Sequence, residues 1–292
     1  MISAGQNTAF STNKTLNIGG RLLTLDTPLV MGVINITPDS FYTGSRQTDE
    51  KDILNHVEKM LTDGASIIDI GGYSSRPGAE HIAEEEEVHR VVHPITGIRK
   101  RFPEAVISID TFRSSVARKA VDAGADMIND ISGGELDSEM HNTVAQLQAP
   151  YICMHMKGTP ETMTSLADYN NLEHEIIAYF HQKIVALQMA GVKDIVIDPG
   201  FGFAKTIDQN FQLMNSLNML SILGKPLLIG VSRKSMIWKT LQASPEHALN
   251  GTTALNMVAL LKGASILRVH DVKEAVETVK LFARLTQAEG RV

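Results

Sequence analysis

One repeated unit dominates the chain: a short apolar run ends at a polar residue, and a helical stretch that ends in glycine follows. The clearest strand end lies in the stretch 194–205, where the β-branched run 195–197 stops at Asp198 and proline and glycine follow directly. A run this short and this branched predicts a buried strand, and Pro-Gly ends it. Because about eight such units succeed one another, the sequence predicts a chain of βα repeats.

The units can be placed along the chain. Strands are predicted at 29–36, 66–70, 106–109, 126–128, 151–154, 195–197, 226–229 and 265–267. Helices are predicted at 49–63, 83–101, from 114 to about 123, 138–148, 172–190, 208–222, 245–262 and 271–287. This alternation predicts an α/β protein whose parallel sheet closes on itself, a (β/α)8 TIM barrel. An open doubly wound sheet is the alternative, but the sequence contains neither G-x-G-x-x-G nor G-x-x-x-x-G-K-[ST].

Two segments precede the repeats. Residues 16–25 alternate in polarity around Gly19 and Gly20, which predicts an N-terminal β-hairpin that plugs the base of the barrel. Residues 1–15 are predicted to be a flexible leader. Residues 16–292 are then predicted to form a single domain.

The composition argues against several classes of partner. Of the 292 residues, 43% are hydrophobic and 21% are charged, which suits one large core. The formal net charge of −6, without a long basic run, gives no reason to expect a nucleic acid or a membrane as partner. A single cysteine, Cys153, cannot form an internal disulfide, and residues 1–17 lack the apolar core of a signal peptide. We therefore expect a cytoplasmic protein.

Polar residues end most of the predicted strands. They are Asn35, Asp69, Asp110, Asn129, His155, Asp198, Lys234, Arg268 and His270. In a parallel barrel these positions converge on one mouth, where the active sites of this fold lie. Each residue alone could merely cap its turn, but lysine, arginine and histidine are not capping residues of helix starts. The set as a whole therefore predicts a binding site.

These residues offer two kinds of chemistry. Asp110, Asn129 and Asp198 suit a planar heterocycle rich in N–H groups, because a carboxylate pairs with a guanidine-like edge through two hydrogen bonds. A second set suits the anionic oxygens of a phosphate or pyrophosphate. Its members are Ser74, Ser75, Arg76, Arg268 and His270. Asn35 could help to hold a Mg²⁺ ion that a pyrophosphate brings with it.

Eight motifs follow one another along the chain. They are MGVINITPDSF at 31–41, GGYSSRPG at 71–78, IDT at 109–111, INDISGG at 128–134, MHM at 154–156, DPGFGF at 198–203, SRK at 232–234 and RVHDV at 268–272. In this order they resemble the dihydropteroate synthase family, and the resemblance extends from about 16 to 285, nearly the whole chain.

The resemblance implies a TIM barrel that condenses (7,8-dihydropterin-6-yl)methyl diphosphate with 4-aminobenzoate in folate biosynthesis. It implies pterin contacts for Asp110, Asn129, Met154, Asp198, Phe203 and Lys234. It implies pyrophosphate contacts for Asn35, Ser75, Arg76, Arg268 and His270, with Mg²⁺ on Asn35. It implies that loops 36–46 and 73–80 close over a 4-aminobenzoate pocket that includes Phe41, Ser75, Pro77, Phe203, Ser232 and Lys234. The residues implied in catalysis are Asp110, Lys234, Arg268 and His270.

The resemblance also implies an order of events. Pyrophosphate leaves first, and the amine attacks the resulting resonance-stabilised pterin cation. Arg268, His270 and Mg²⁺ would stabilise the departing anion, and Asp110 would stabilise the cationic ring. No enzyme nucleophile is needed. The family is also usually homodimeric, so a homodimer is implied, with small-molecule substrates as the other partners.

Two loops depart from the family pattern. Tyr73 stands where an acidic residue is usual, and residues 41–46 replace a Ser-Asp-Gly-Gly type of turn. Two alternatives would use the same barrel. A pterin-dependent methyltransferase would share the Asp and Asn floor but would not need the motifs at 74–78 and 232–234. An inactive pterin-binding homologue would be expected to have lost the pyrophosphate ligands or Lys234, and the sequence retains them.

Overall fold

The computed structural model describes residues 14–36, 46–74 and 81–289. The strands are β1 (Thr15–Ile18), β2 (Arg21–Thr24), β3 (Leu29–Asn35), β4 (Ile67–Gly71), β5 (Val106–Asp110), β6 (Met127–Asp130), β7 (Tyr151–Met154), β8 (Ile195–Asp198), β9 (Leu228–Ile229) and β10 (Ile266–Val269). The α-helices are α1 (Arg46–Thr62), α2 (Glu84–Arg101), α3 (Ser114–Asp122), α4 (Met140–Leu147), α5 (Leu172–Ala190), α6 (Ile207–Asn215), α7 (Ser235–Thr240), α8 (Leu249–Leu261) and α9 (Val272–Glu289).

Strands β3 to β10 form one eight-stranded sheet in the order β8-β7-β6-β5-β4-β3-β10-β9. Every pairing within it is parallel. A further parallel bridge between Ile197 and Leu227 joins β8 to the residue before β9, so the two outer strands of this order meet. The sheet therefore curls into a barrel with helices between its strands, which confirms the predicted (β/α)8 TIM barrel.

The hairpin β1–β2 closes the bottom of the barrel. Its two strands pair antiparallel, and Leu16 and Ile18 are only 1% and 4% exposed. They pack against the first inward-facing residues of the barrel strands, which are Leu29, Met31, Ile67, Val106, Met127, Ile152, Val196, Leu228 and Ile266. The predicted position of the hairpin is confirmed.

The other face of each strand packs against the helices. Because successive strand residues point to opposite sides, Ile68 and Ile70 of β4 join a large core with Val57 of α1 and Ile95 of α2. Cys153 of β7 belongs to this core, and burial raises the pKa of its thiol. A thiol that faces the helices and resists ionisation is not a nucleophile for the barrel mouth.

Within the described ranges, no helix is long and apolar enough to cross a membrane.

Some predicted elements differ from the structure. The predicted helix 208–222 is α6 followed by a 3₁₀ turn at Leu217–Leu223; between them lies Ser216, whose N–H and hydroxyl both donate to the Gln212 carbonyl. The predicted helix 245–262 begins with a 3₁₀ turn, and α7 was not predicted at all. Of the predicted leader, 1–13 lies outside the described residues, and Thr15 already belongs to β1.

Candidate active site

The inward-facing side chains become polar towards the carboxyl ends of the strands. Above the apolar bottom layer, β4 presents Asp69 and β10 presents Arg268. Two residues further along β4 lies Gly71, and the register of β3, β4, β5 and β6 aligns it with Asn35, Asp110 and Asn129. Because alternate residues of a strand point to the same side, these predicted polar strand ends lie together on the inner wall of the mouth.

An ion-pair network joins the two polar layers. The Arg268 Nε donates to Asp69 Oδ2 at 2.7 Å, and its Nη2 donates to Asp110 Oδ2 at 2.5 Å. Asn129 Nδ2 donates to the same Asp69 oxygen at 3.1 Å. Asp69 is fully buried, so its charge requires this compensation. One guanidinium thus fixes two carboxylates that come from different strands.

Burial sets the protonation of Asp110. Desolvation raises the pKa of this carboxyl to about 7, with Arg268 opposing the rise and Asp69 adding to it. Burial lowers the pKa of Arg268, but the two carboxylates outweigh burial and leave that pKa above its usual range. Arg268 therefore stays charged while Asp110 changes charge near neutral pH.

A second charged pair lies at the end of β8. The Asp198 carboxylate accepts the backbone N–H of Gly200 at 2.8 Å, and burial raises its pKa against the opposing charge of Lys234. Lys234 Nζ donates to the Phe201 carbonyl and lies 4.9 Å from the centroid of the Phe203 ring. Burial lowers the pKa of Lys234 to about 8 against the attraction of Asp198. The loop after β8 therefore holds the Lys234 ammonium beside a carboxylate and an aromatic face.

The rim after β9 and β10 carries Ser232 and His270. The Ser232 hydroxyl lies 3.1 Å from His270 Nδ1 and accepts the backbone N–H of His270 at 3.2 Å. Ser232 is buried and His270 is exposed, so the imidazole reaches the solvent side of the mouth. This arrangement fits a histidine that meets an anion arriving from outside.

Asn35 and Asp110 lie on either side of Gly71. A Cβ atom built on Gly71 would lie 3.6 Å from Asn35 Oδ1 and 3.7 Å from Asp110 Oδ2. Glycine thus leaves space between two oxygens. The part of the chain that the structure describes contains no cluster of three His, Cys, Asp or Glu side chains that could hold a metal by themselves. An amide oxygen beside a carboxylate fits Mg²⁺ that is held mainly by substrate phosphates, since Mg²⁺ keeps few protein ligands in such sites.

Apolar side chains form one wall of the mouth. Met154 packs in a small cluster with Met156 and Met163, and Phe203 lies against it. Met154 is opposite Asp198 in the pairing of β7 with β8. A flat ring that reaches Asp198 would therefore meet an apolar surface beside it.

The structure describes only part of the predicted set. Phe41, Ser75, Arg76 and Pro77 lie outside the described residues, as do most of loops 36–46 and 73–80. Sequence reasoning placed Asp69 among the strand ends but gave it no role, although its position two residues before Gly71 puts both on the same inward face. It also gave no role to Lys205, whose signal is a lysine that closes an apolar, glycine-rich turn.

Comparison with known proteins decides the family. The model of the pterin binding enzyme family matches residues 31–270, which include every site residue described above. The dihydropteroate synthase of Synechocystis sp. is 44% identical over 255 residues, covering 86% of this chain and 88% of that protein. That of Escherichia coli is 40% identical over 279 residues, covering 93% and 97%.

The chain belongs to the dihydropteroate synthase family.

Solved structures of the family agree. Dihydropteroate synthase from Xanthomonas albilineans with 4-aminobenzoic acid is 38% identical, with a TM-score of 0.87 over 94% of this chain and 99% of that one. As a dihydropteroate synthase, the chain is a transferase that joins (7,8-dihydropterin-6-yl)methyl diphosphate to 4-aminobenzoate and releases pyrophosphate. The synthase relatives favour this activity over the pterin-dependent methyltransferase alternative.

Proposed function

We propose that the mouth of the barrel divides dihydropteroate synthesis between a pterin floor and an anion-binding rim. The floor consists of Asp110, Asn129 and Asp198, with Lys234 as its cation. The observation that carries this proposal is the register that places Asp110 beside Asn129, directly above the Arg268–Asp69 pair. Ionised carboxylates accept hydrogen bonds, so the floor offers acceptors to the N–H groups of a pterin. Met154 and Phe203 supply the apolar contact beside it.

The diphosphate meets His270 at the rim and the Arg268 guanidinium, which reaches from the layer below up to Asp110. The bond between the pterin methylene carbon and the diphosphate oxygen breaks, and its electron pair leaves with the diphosphate. The carbon cation that remains is delocalised into the pterin ring, where ionised Asp110 stabilises it. The amine of 4-aminobenzoate then forms the new C–N bond and loses a proton. Positive side chains aimed at the departing charge lower the barrier, because charge develops there in the transition state.

Asn35 would hold Mg²⁺ that the diphosphate brings, with Asp110 on the other side of Gly71. When bound, this ion would supply positive charge to the leaving group. Ser75 and Arg76 belong to the same proposed anion site.

The amine substrate would lie above the pterin. The proposed pocket uses Ser232, Lys234 and Phe203, together with Phe41, Ser75 and Pro77. Its support is the position of Lys234 Nζ, 4.9 Å from the centroid of the Phe203 ring, at the end of the floor. The relative from Xanthomonas albilineans that was solved with 4-aminobenzoic acid supports this substrate.

The proposal also covers the oligomeric state of the protein and its location in the cell. A homodimer in the cytoplasm is proposed, in line with the family and with a single cysteine that is fully buried. Light scattering tests the dimer, because a mass equal to one chain would contradict it.

The test of the pterin floor is Lys234→Ala. A side chain at the barrel mouth is not part of the packed core, so the variant should fold while kcat/KM falls by about 100-fold or more. Lys239→Ala is the matched control, because Lys239 is exposed on α7 and faces no part of the floor. Steady-state turnover and thermal melting measure both variants. Unchanged turnover in folded Lys234→Ala would contradict the proposal.

A further inference from the structure

The loop between β8 and α6 has an unusual backbone. Gly200, Gly202 and Ala204 have φ angles of 69°, 81° and 47°, so three residues of five lie in the left-handed region. An L side chain such as that of Ala204 adopts this region only at a cost in free energy. The loop therefore keeps its shape only if other groups hold it.

Lys205 holds the loop from inside. Its side chain is buried, and Nζ lies 3.0 Å from the Gly200 carbonyl, 3.0 Å from the Phe203 carbonyl and 3.1 Å from His155 Nδ1. Burial lowers the pKa of Lys205 to about 7, and in its protonated form the amine has three N–H donors, each of which meets an acceptor here. Two of these acceptors belong to the loop and the third belongs to the segment after β7. Lys205 thus ties the loop to its neighbouring strand.

His155, the partner of Lys205 after β7, is itself held in place by its own contacts. It is 3% exposed, its ring meets the Tyr179 ring edge-on at 4.8 Å, and its backbone N–H donates to the Asp198 carbonyl at 2.9 Å. Burial, and then the charges of Lys205 and Lys157, lower its pKa well below the usual range. The imidazole is therefore neutral and can accept a hydrogen bond from Lys205 at Nδ1. A Cβ on Gly200 would lie 2.1 Å from the His155 carbonyl oxygen, so loop and strand are in close contact.

The same loop contacts Lys234. The Phe201 carbonyl accepts from Lys234 Nζ, and the Phe203 ring lies beside that ammonium. Lys205 binds the carbonyls of Gly200 and Phe203. Phe201 lies between these two residues in the chain, and the Phe203 ring belongs to the second of them. A shift of this loop would therefore move the groups that place Lys234. Asn210 of α6 holds the other side of the loop, since its Oδ1 accepts the Gly202 N–H at 2.7 Å.

We propose that Lys205 is a positioning residue of this synthase: it clamps the loop 199–204 onto His155 and thereby places the Lys234 ammonium over the pterin floor. The inference rests on the proposed role of Lys234. Lys205 itself does not touch the substrate. Its contribution is to keep the Phe201 carbonyl and the Phe203 ring where Lys234 needs them.

A double-mutant cycle separates this role from a general effect on folding. Affinity for (7,8-dihydropterin-6-yl)methyl diphosphate is measured by calorimetry in the parent, Lys205→Met, Lys234→Met and the double variant, each checked by thermal melting. Two groups that act through one another are not additive, whereas independent groups are. Lys183→Met is the matched control, because the Lys183 side chain is 13% exposed and contacts Glu135 and the Tyr179 ring beside His155, not the loop 199–204.

We expect Lys205→Met to weaken binding by roughly 10- to 100-fold, the usual effect of losing hydrogen bonds from a charged donor. In the Lys234→Met background the same change should have almost no effect, and Lys183→Met should bind like the parent. Additive losses, or parent-like binding by Lys205→Met, would overturn the inference. Parent-like binding by Lys234→Met would instead overturn the proposed role of Lys234, and the inference with it.

A second variant covers a failure to fold. Lys205→Gln keeps N–H donors on a shorter uncharged side chain, and we expect an intermediate loss of affinity that again disappears in the Lys234→Met background. A loss that persists in that background would overturn the inference as clearly as the first cycle.

Discussion

At the scale of single residues, the Arg268 guanidinium compensates the negative charge of two carboxylates in the mouth. It pairs with Asp69 and Asp110, which lie 199 and 158 positions away in the chain. Removing one partner of a buried ion pair typically costs about 3–5 kcal/mol, because the other charge remains buried without compensation. Arg268 is therefore needed for the fold of the site as well as for the proposed binding of the diphosphate.

Asp110 gives a sharper prediction, because its pKa is raised to about 7 by burial. Below this pH the carboxyl holds a proton, and above it the ionised form would, on the proposed floor, accept two hydrogen bonds from the pterin. Affinity for 6-hydroxymethyl-7,8-dihydropterin, which carries no diphosphate, should therefore rise between pH 6 and pH 8. The change is measured by calorimetry across this range.

Asp110→Asn is the control for this pH dependence. The amide cannot ionise, so the variant should bind the pterin more weakly and show little change between pH 6 and pH 8. The comparison is needed because two lysines also change charge in or near this range. Burial lowers the pKa of Lys205 to about 7 and that of Lys234 to about 8. A rise that survives in Asp110→Asn would assign the titration to another group.

At the scale of elements, the loop after β8 determines the site more than any helix does. Its residues provide a backbone N–H to Asp198, a carbonyl to Lys234 and an aromatic face beside that lysine. These contacts depend on glycine at two positions with different surroundings. At Gly200 a Cβ would meet the His155 carbonyl oxygen at 2.1 Å, whereas at Gly202 it would meet Lys234 Cδ at 3.3 Å.

Gly200→Ala and Gly202→Ala therefore form a matched pair. Both place alanine at a positive φ, which costs about 1–2 kcal/mol. Gly200→Ala also forces two backbones apart, so its free energy of unfolding should fall by about 3 kcal/mol or more. Gly202→Ala should remain the more stable variant but bind the pterin more weakly, because its methyl group displaces Lys234. Urea unfolding and calorimetry measure the two effects. Equal stability of the two variants would contradict this account of the loop.

At the scale of the whole molecule, the barrel could be predicted because its signals are local. Each strand is a short apolar run that ends at a polar residue, and the hairpin alternates within a single segment. The break of the predicted helix 208–222 at Ser216 could not be predicted as easily, since the apolar spacing continues through the 3₁₀ turn. Strand β9 keeps only two residues of ladder, which its apolar run 226–229 does not reveal.

The convergence of the site's side chains on one mouth could be predicted, whereas their contacts could not. Strand ends located Asp110, Asn129, Asp198, Lys234 and Arg268 from the sequence. The pairing of Arg268 with Asp69 depends on closure of the barrel, which brings β10 beside β3 and so within reach of β4. Closure is a property of all eight strands together, and no local pattern encodes it. The contacts of Lys205 depend on the same assembly, because its partners come from two consecutive βα units.

The central claim is that this mouth couples pyrophosphate departure to amine transfer. The direct measurement follows pyrophosphate release from (7,8-dihydropterin-6-yl)methyl diphosphate with Mg²⁺, with and without 4-aminobenzoate, and quantifies dihydropteroate in the same samples. The account predicts one dihydropteroate for each pyrophosphate released when 4-aminobenzoate is present. Tight binding of the pterin substrate without release of pyrophosphate would contradict it and would indicate an inactive pterin-binding homologue.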